Sequence, residues 1–119
     1  MDFNEVVKLF TDIGYKLIVT KDIHLDNKNF ARTENQDLRI GFCEPNNGKS
    51  YQYIDGQIAI DREDCFDKWS KCPIVLPFPE NEKQVQFLIV KINWLKTDEG
   101  YKVSNEYETD LWITSYPNE

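Results

Sequence analysis

The longest apolar run of the chain, Phe87-Leu88-Ile89-Val90, lies inside residues 84–96, QVQFLIVKINWLK. Whatever covers this stretch sets the fold. Taken at a period of two, Val85, Phe87 and Ile89 point one way, and Leu88, Val90, Ile92 and Trp94 the other. A strand apolar on both faces needs cover on both faces. The pattern therefore reads as the central strand of a sheet. Lys91 and Asn93 fall on the side of Val85, Phe87 and Ile89, so this strand is expected to surface near its end.

Residues 2–13 predict a helix to cover one face. Phe3, Val6, Val7, Phe10 and Ile13 share one stripe at helical spacing. Asp2 followed by Glu5 has the form of a capping box, and Gly14 suits the position after a helix end. Strands are expected at 15–20 and 37–43, where Leu38, Ile40 and Phe42 alternate with Arg39 and Gly41. Asp55-Gly56 is a hairpin signal between expected strands at 51–54 and 57–60, so 37–60 reads as a three-stranded meander. Residues 21–35 are polar and read as a long surface loop. A second short helix is expected from Asp61 to Trp69, capped by Asp61, with Cys65, Phe66 and Trp69 as its apolar stripe. Three prolines between Cys72 and Pro79 forbid a central strand there and predict a stiff, extended crossover. Residues 97–100 read as a turn, and 101–107 and 109–116 as the last strands. The sum is a single α+β domain over 1–119. It has a mostly antiparallel, twisted sheet of about six to seven strands, with the N-terminal helix and the second short helix packed on it.

Charge narrows the partners. The net charge is −7, from 21 acids against 14 bases, which disfavours nucleic acid because phosphate binding needs a basic patch. It suits a basic protein partner or serves solubility. No apolar run reaches the roughly 18 residues of a membrane helix, and the first residues lack the pattern of a signal peptide. Cys43, Cys65 and Cys72 are an odd number and fit a reducing compartment, so a cytoplasmic location is expected. Frequent Asn, Lys, Ile and Tyr have AT-rich codons and fit a bacterial or phage source.

Motifs that carry chemistry fall away one by one. Gly48-Lys49-Ser50 resembles the end of a phosphate loop, but position 43, where that loop needs glycine, is cysteine. His24 is the only histidine, and the cysteines have no C-x-x-C spacing, so no zinc set forms. The cysteines sit in apolar stretches or beside proline, as inert buried thiols do. Asp61, Glu63, Asp64 and Asp67 crowd one short helix and lack the spacing of a calcium loop. No cofactor, metal or enzymatic activity is expected. The 21–35 loop, with His24, Asp26, Asn27, Lys28, Asn29, Phe30 and Arg32, reads as variable surface or the lip of a pocket.

The last strands hold the most suggestive pattern. Glu106, Glu108 and Asp110 share one parity, and Trp112 and Tyr116 continue it. Asp98 and Glu99 add acid at the neighbouring turn. Aromatics anchor interfaces and acids steer a basic partner. Three classes follow. The first is a small acidic protein that neutralises a basic toxin such as a nuclease by masking its active site, in the manner of a bacterial immunity protein. The second is a small-molecule or enzymatic pocket in a curved sheet, lined from the 37–60 meander and 85–95. The third is a phage-encoded DNA mimic, which needs acids spread over a broader surface than this chain offers.

Overall fold

The structure is a computed structural model and describes residues 1–22, 28–45, 56–68, 72–106 and 108–118. Helix α1, Phe3–Asp12, begins as its sequence requires. Asp2 accepts the Glu5 N–H at 2.9 Å, and Glu5 accepts the Asp2 N–H at 3.2 Å. It ends in a Schellman motif: Tyr15 N–H donates to Phe10 C=O at 2.9 Å, and Gly14 N–H to Thr11 C=O at 3.0 Å. Gly14 takes φ +100°, which an L side chain would strain.

Five antiparallel strands follow in sequence order: β1 Ile18–Asp22, β2 Lys28–Arg32, β3 Leu38–Cys43, β4 Gln57–Arg62 and β5 Ile74–Pro77. Pairs such as Ala31 with Phe42, Ile40 with Ile60, and Ile60 with Ile74 put the apolar side chains of neighbouring strands on one face. There they form one buried cluster with Phe3, Val6, Phe10, Leu88, Ile92 and Leu95. Phe42 is its hub, with ring centroids 5.4 Å from Phe3, 5.8 Å from Phe10 and 5.7 Å from Phe78. The fold is thus α+β, with an antiparallel sheet and an N-terminal helix, and the sheet has five strands among the described residues rather than six to seven.

The 21–35 stretch holds β2 and the end of β1, so it is not a loop throughout. Its hairpin to β3 is closed by buried Thr33, whose Oγ1 donates to Leu38 C=O and accepts from Ile40 N–H, both at 2.9 Å. Strand β3 pairs directly with β4, and the expected strand at 51–54 lies outside the described residues. Asp61 lies within β4 instead of capping a helix, and the second short helix is a 3-10 turn, Glu63–Lys68. Residues 72–79 supply β5, whose outer edge carries, among the described residues, one parallel bridge, Ile74 to Ile113, in keeping with the prolines.

The largest correction concerns the stretch at 84–96. It is helix α2, Glu82–Leu95, not a central strand. Asn81 caps it by accepting the Gln84 N–H at 2.9 Å, and Glu82 sits in the first turn. Leu88, Ile92 and Leu95, at i, i+4 and i+7, enter the core. The expected strand at 101–107 is likewise a helix, α3 Asp98–Asn105. Thr97 caps it by accepting the Gly100 N–H at 3.2 Å. The expected strand at 109–116 is a 3-10 turn, Thr109–Leu111, followed by extended chain. No described helix is long and apolar enough to cross a membrane.

Candidate functional site

The acids singled out in the sequence gather where α3 meets the end of the chain. Helices α2 and α3 join at a corner with no room for a side chain. A Cβ at Gly100 would lie 2.5 Å from both Leu95 Cα and Trp94 O. Thr97 serves both helices, since its hydroxyl also donates to Trp94 C=O at 2.6 Å. Arg62, from the end of β4, locks the corner from below. Its guanidinium donates to Leu95 C=O at 3.2 Å and Thr97 C=O at 3.4 Å, and lies 5.1 Å from the Tyr101 ring centroid. The last turn of α2 has no basic residue of its own, so Arg62 supplies the cation that its carbonyl end favours. Asp64 orients Arg62 through paired contacts at 3.0 and 3.1 Å, and this pair holds the Asp64 carboxyl below the usual carboxylate range.

On this frame Asp98 and Glu99 occupy the first turn of α3, where the helix dipole favours acid. Glu106 caps the other end, where the dipole disfavours it. Glu108 N–H donates back to Val103 C=O at 3.2 Å, which holds the Thr109–Leu111 turn, with Asp110, against the end of α3. The shared strand face expected for Glu106, Glu108 and Asp110 does not exist, because helix and 3-10 turn replace the strand. Acids and surface still coincide. Asp98, Glu99, Glu106 and Asp110 are exposed and Glu108 is half-buried. None of the five makes an ion pair among the described residues.

The aromatic members divide differently. Tyr116 is structural: its hydroxyl donates to Pro77 C=O at 2.6 Å, and its ring meets Phe87 edge-on at 5.8 Å. Burial raises its hydroxyl pKa. Trp112 is half-buried. The exposed apolar groups of this region are instead Tyr101 at 40% and Leu111 at 48%. Sequence reasoning passed over both. Helical periodicity was the signal for Tyr101, because Gly100, Val103 and Ser104 form the buried side of α3 and leave Tyr101 outside.

A second polar cluster lies where the end of β4 meets α3. Asp61, 1% exposed, pairs in register with Arg39, and their charged atoms are 4.0 Å apart. Asp61 also accepts the Arg62 N–H at 2.7 Å. Burial raises the Asp61 pKa, while that N–H, the nearby Ser104 hydroxyl and Arg39 act against the rise. Ser104 Oγ is close enough to act on Asp61 but makes no well-formed hydrogen bond. Arg39 also reaches Cys72 Sγ at 3.8 Å. Cys65 is buried and its thiol is pushed up to about 11, by burial first and then by Asp64 and Asp61. Burial raises Cys72 as well, against the pull of Arg39. Both thiols are therefore protonated at neutral pH, the opposite of an activated nucleophile.

A cleft of about 390 Å³ lies between the start of α1 and the β2–β3 sheet, lined by Asp2, Phe3, Asn4, Asn29, Glu44 and Pro45. Its carboxylates already serve the fold: Asp2 caps α1, and Glu44 accepts the Asn29 N–H at 2.7 Å. No group of three His, Cys, Asp or Glu side chains among the described residues could hold a metal ion. His24 and the Gly48-Lys49-Ser50 motif lie outside the described residues. Comparison of the chain with protein-family models, with curated proteins and with solved structures finds no match.

Proposed function

We propose that this chain is a protein-binding inhibitor that takes a basic partner on the α3 surface, as an immunity protein takes a nuclease toxin and masks its active site. One observation carries the reading. Residues 98–110 hold five acids and one base, Lys102, a net of −4, so the remaining 106 residues of the −7 chain carry only −3. Charge this concentrated steers a basic protein to one place and raises its rate of encounter. Tyr101 and Leu111 stand exposed in the same stretch and supply the apolar contact that charge alone lacks. Glu106 adds a further sign. An acid at a helix C-terminus costs stability by about 0.3–1 kcal/mol, so its presence is better explained by a partner than by the fold.

The test is the association rate of the chain with its basic partner, measured for the native protein and for E99K/E106K/D110K. We expect the triple reversal to lower kon by about tenfold to a hundredfold at low salt, with the difference shrinking as salt rises. Unchanged association kinetics would overturn the placement of the site.

A further inference from the structure

Helix α2 carries two apolar stripes: one enters the core, and the other is half-buried at the core's rim through Phe87 and Trp94 and leaves Val90 exposed. Leu88, Ile92 and Leu95 are buried. The other stripe is Lys83, Phe87, Val90, Lys91 and Trp94, at i, i+4, i+7, i+8 and i+11. Val90 is 58% exposed, the most exposed large apolar side chain among the described residues. The Lys91 ammonium lies 5.4 Å from the Phe87 ring centroid and 5.8 Å from that of Trp94, so it rests on the aromatic pair. A surface helix that needed only water would place polar side chains here.

The stripe is also basic within an acidic chain. It holds Lys83 and Lys91 and no acid, a net of +2. Its complement is present on the same molecule, in residues 98–110 with their net of −4 and exposed Tyr101 and Leu111. A chain does not satisfy itself: α3 packs at the last turn of α2, and Val90 stays exposed.

We propose that the outer stripe of α2 is the docking site for a second copy of this chain, which presents its residues 98–110 to it. A two-fold axis makes the contact reciprocal, so each copy uses both surfaces and the assembly closes as a dimer. Lys83 and Lys91 of one copy meet the acids of the other, and Val90 and the two rings of the stripe bury against Tyr101 and Leu111. The proposal goes beyond the basic partner above and shares its acidic surface, so self-association and partner binding compete. The test below uses purified protein alone, and its failure leaves the partner reading standing.

Sedimentation velocity of the purified chain, from micromolar to submillimolar, is expected to show monomer converting to dimer. The dissociation constant should rise about tenfold or more between about 0.1 M and about 1 M salt. V90D and K91E should each weaken the dimer by at least about tenfold, as E99K/E106K should from the other side. Mixing K83E/K91E with E99K/E106K should restore a heterodimer that neither variant forms with itself. Val90 is exposed, so V90D keeps the test valid if a charge variant disturbs the helix, and thermal melts check each fold. Monomer mass at every concentration would overturn the proposal. So would a dimer unmoved by V90D and K91E, because its interface would then lie elsewhere, for instance along the open edge of β1.

Discussion

Gly100→Ala separates local propensity from packing, because the two predict opposite signs. Gly100 lies in the first turn of α3 with a helical backbone, so alanine there would favour the helix by up to about 1 kcal/mol. The new Cβ, however, would sit 2.5 Å from Leu95 Cα and Trp94 O and closer still to Leu95 O, where ordinary contact begins near 3.4 Å. All three are backbone atoms, which no rotamer change can move. Helix α3 must therefore shift by nearly 1 Å, against the Arg62 contacts to Leu95 and Thr97. Overpacking of this kind costs about 3 kcal/mol at the upper end of its usual range, which leaves a net loss of about 2 kcal/mol. For a chain of this length that lowers Tm by about 8 °C. Thermal unfolding followed by far-UV circular dichroism reads the change directly. A G100A protein as stable as the native one, or more stable, would refute the tight corner that places the α3 surface.

Arg62→Met keeps the aliphatic stem but removes the cation from the same corner. With two carbonyl contacts and an exposed carboxylate pair lost, a destabilisation of about 2 kcal/mol is expected in urea unfolding, and a loss under about 0.5 kcal/mol would contradict the bridging role. Asp61→Asn tests the buried acid. The folded-state pKa of Asp61 is raised above 3.8, so the folded chain holds that proton more tightly, and stability from this group falls as pH rises from about 3.8 through the raised value. The native protein should therefore lose stability relative to D61N across that window, and a native protein that instead gains stability relative to D61N as pH rises would show that Arg39, not burial, dominates. Glu106→Lys should change stability by less than about 0.5 kcal/mol, because its gain with the helix dipole is offset by repulsion from Lys102, while it slows association with a basic partner. A large stability change with unaltered association would make Glu106 a structural residue.

The parts of the fold readable from sequence are those set by neighbours in the chain. Asp2, Glu5 and Gly14 mark both ends of α1 because caps act within a turn. Leu38, Ile40 and Phe42 mark β3 because one of its faces meets the core. Helix α2 was obscured by its second stripe. Val90 faces outward and Phe87 and Trp94 sit half-buried at the core's rim, so seven of the nine positions from 87 to 95 are apolar, and four β-branched residues (Val85, Ile89, Val90, Ile92) favour a strand. The corrective signals were Asn81 as cap, Glu82 behind it, and a length of 14 residues, beyond an ordinary strand. Thr97 with Asp98 and Glu99 marked α3 in the same way. Strand β2 was hidden because Ala31 is its one buried apolar side chain, and a buried Lys28 opens it. The Arg39–Asp61 pair crosses between strands and leaves no local trace. Asp98, Glu99, Glu106, Glu108 and Asp110 were legible as an acidic concentration, whereas their arrangement was not, since it depends on the helix that was read as a strand.

The central claim is that residues 98–110 recruit a basic protein. The most direct measurement is affinity capture from cells of the source organism, run in parallel with the native chain and with E99K/E106K/D110K as bait and quantified by mass spectrometry. The account predicts a strongly basic protein held by the native bait at low salt, released as salt rises, and absent from the reversed bait. The same proteins on both baits would contradict it.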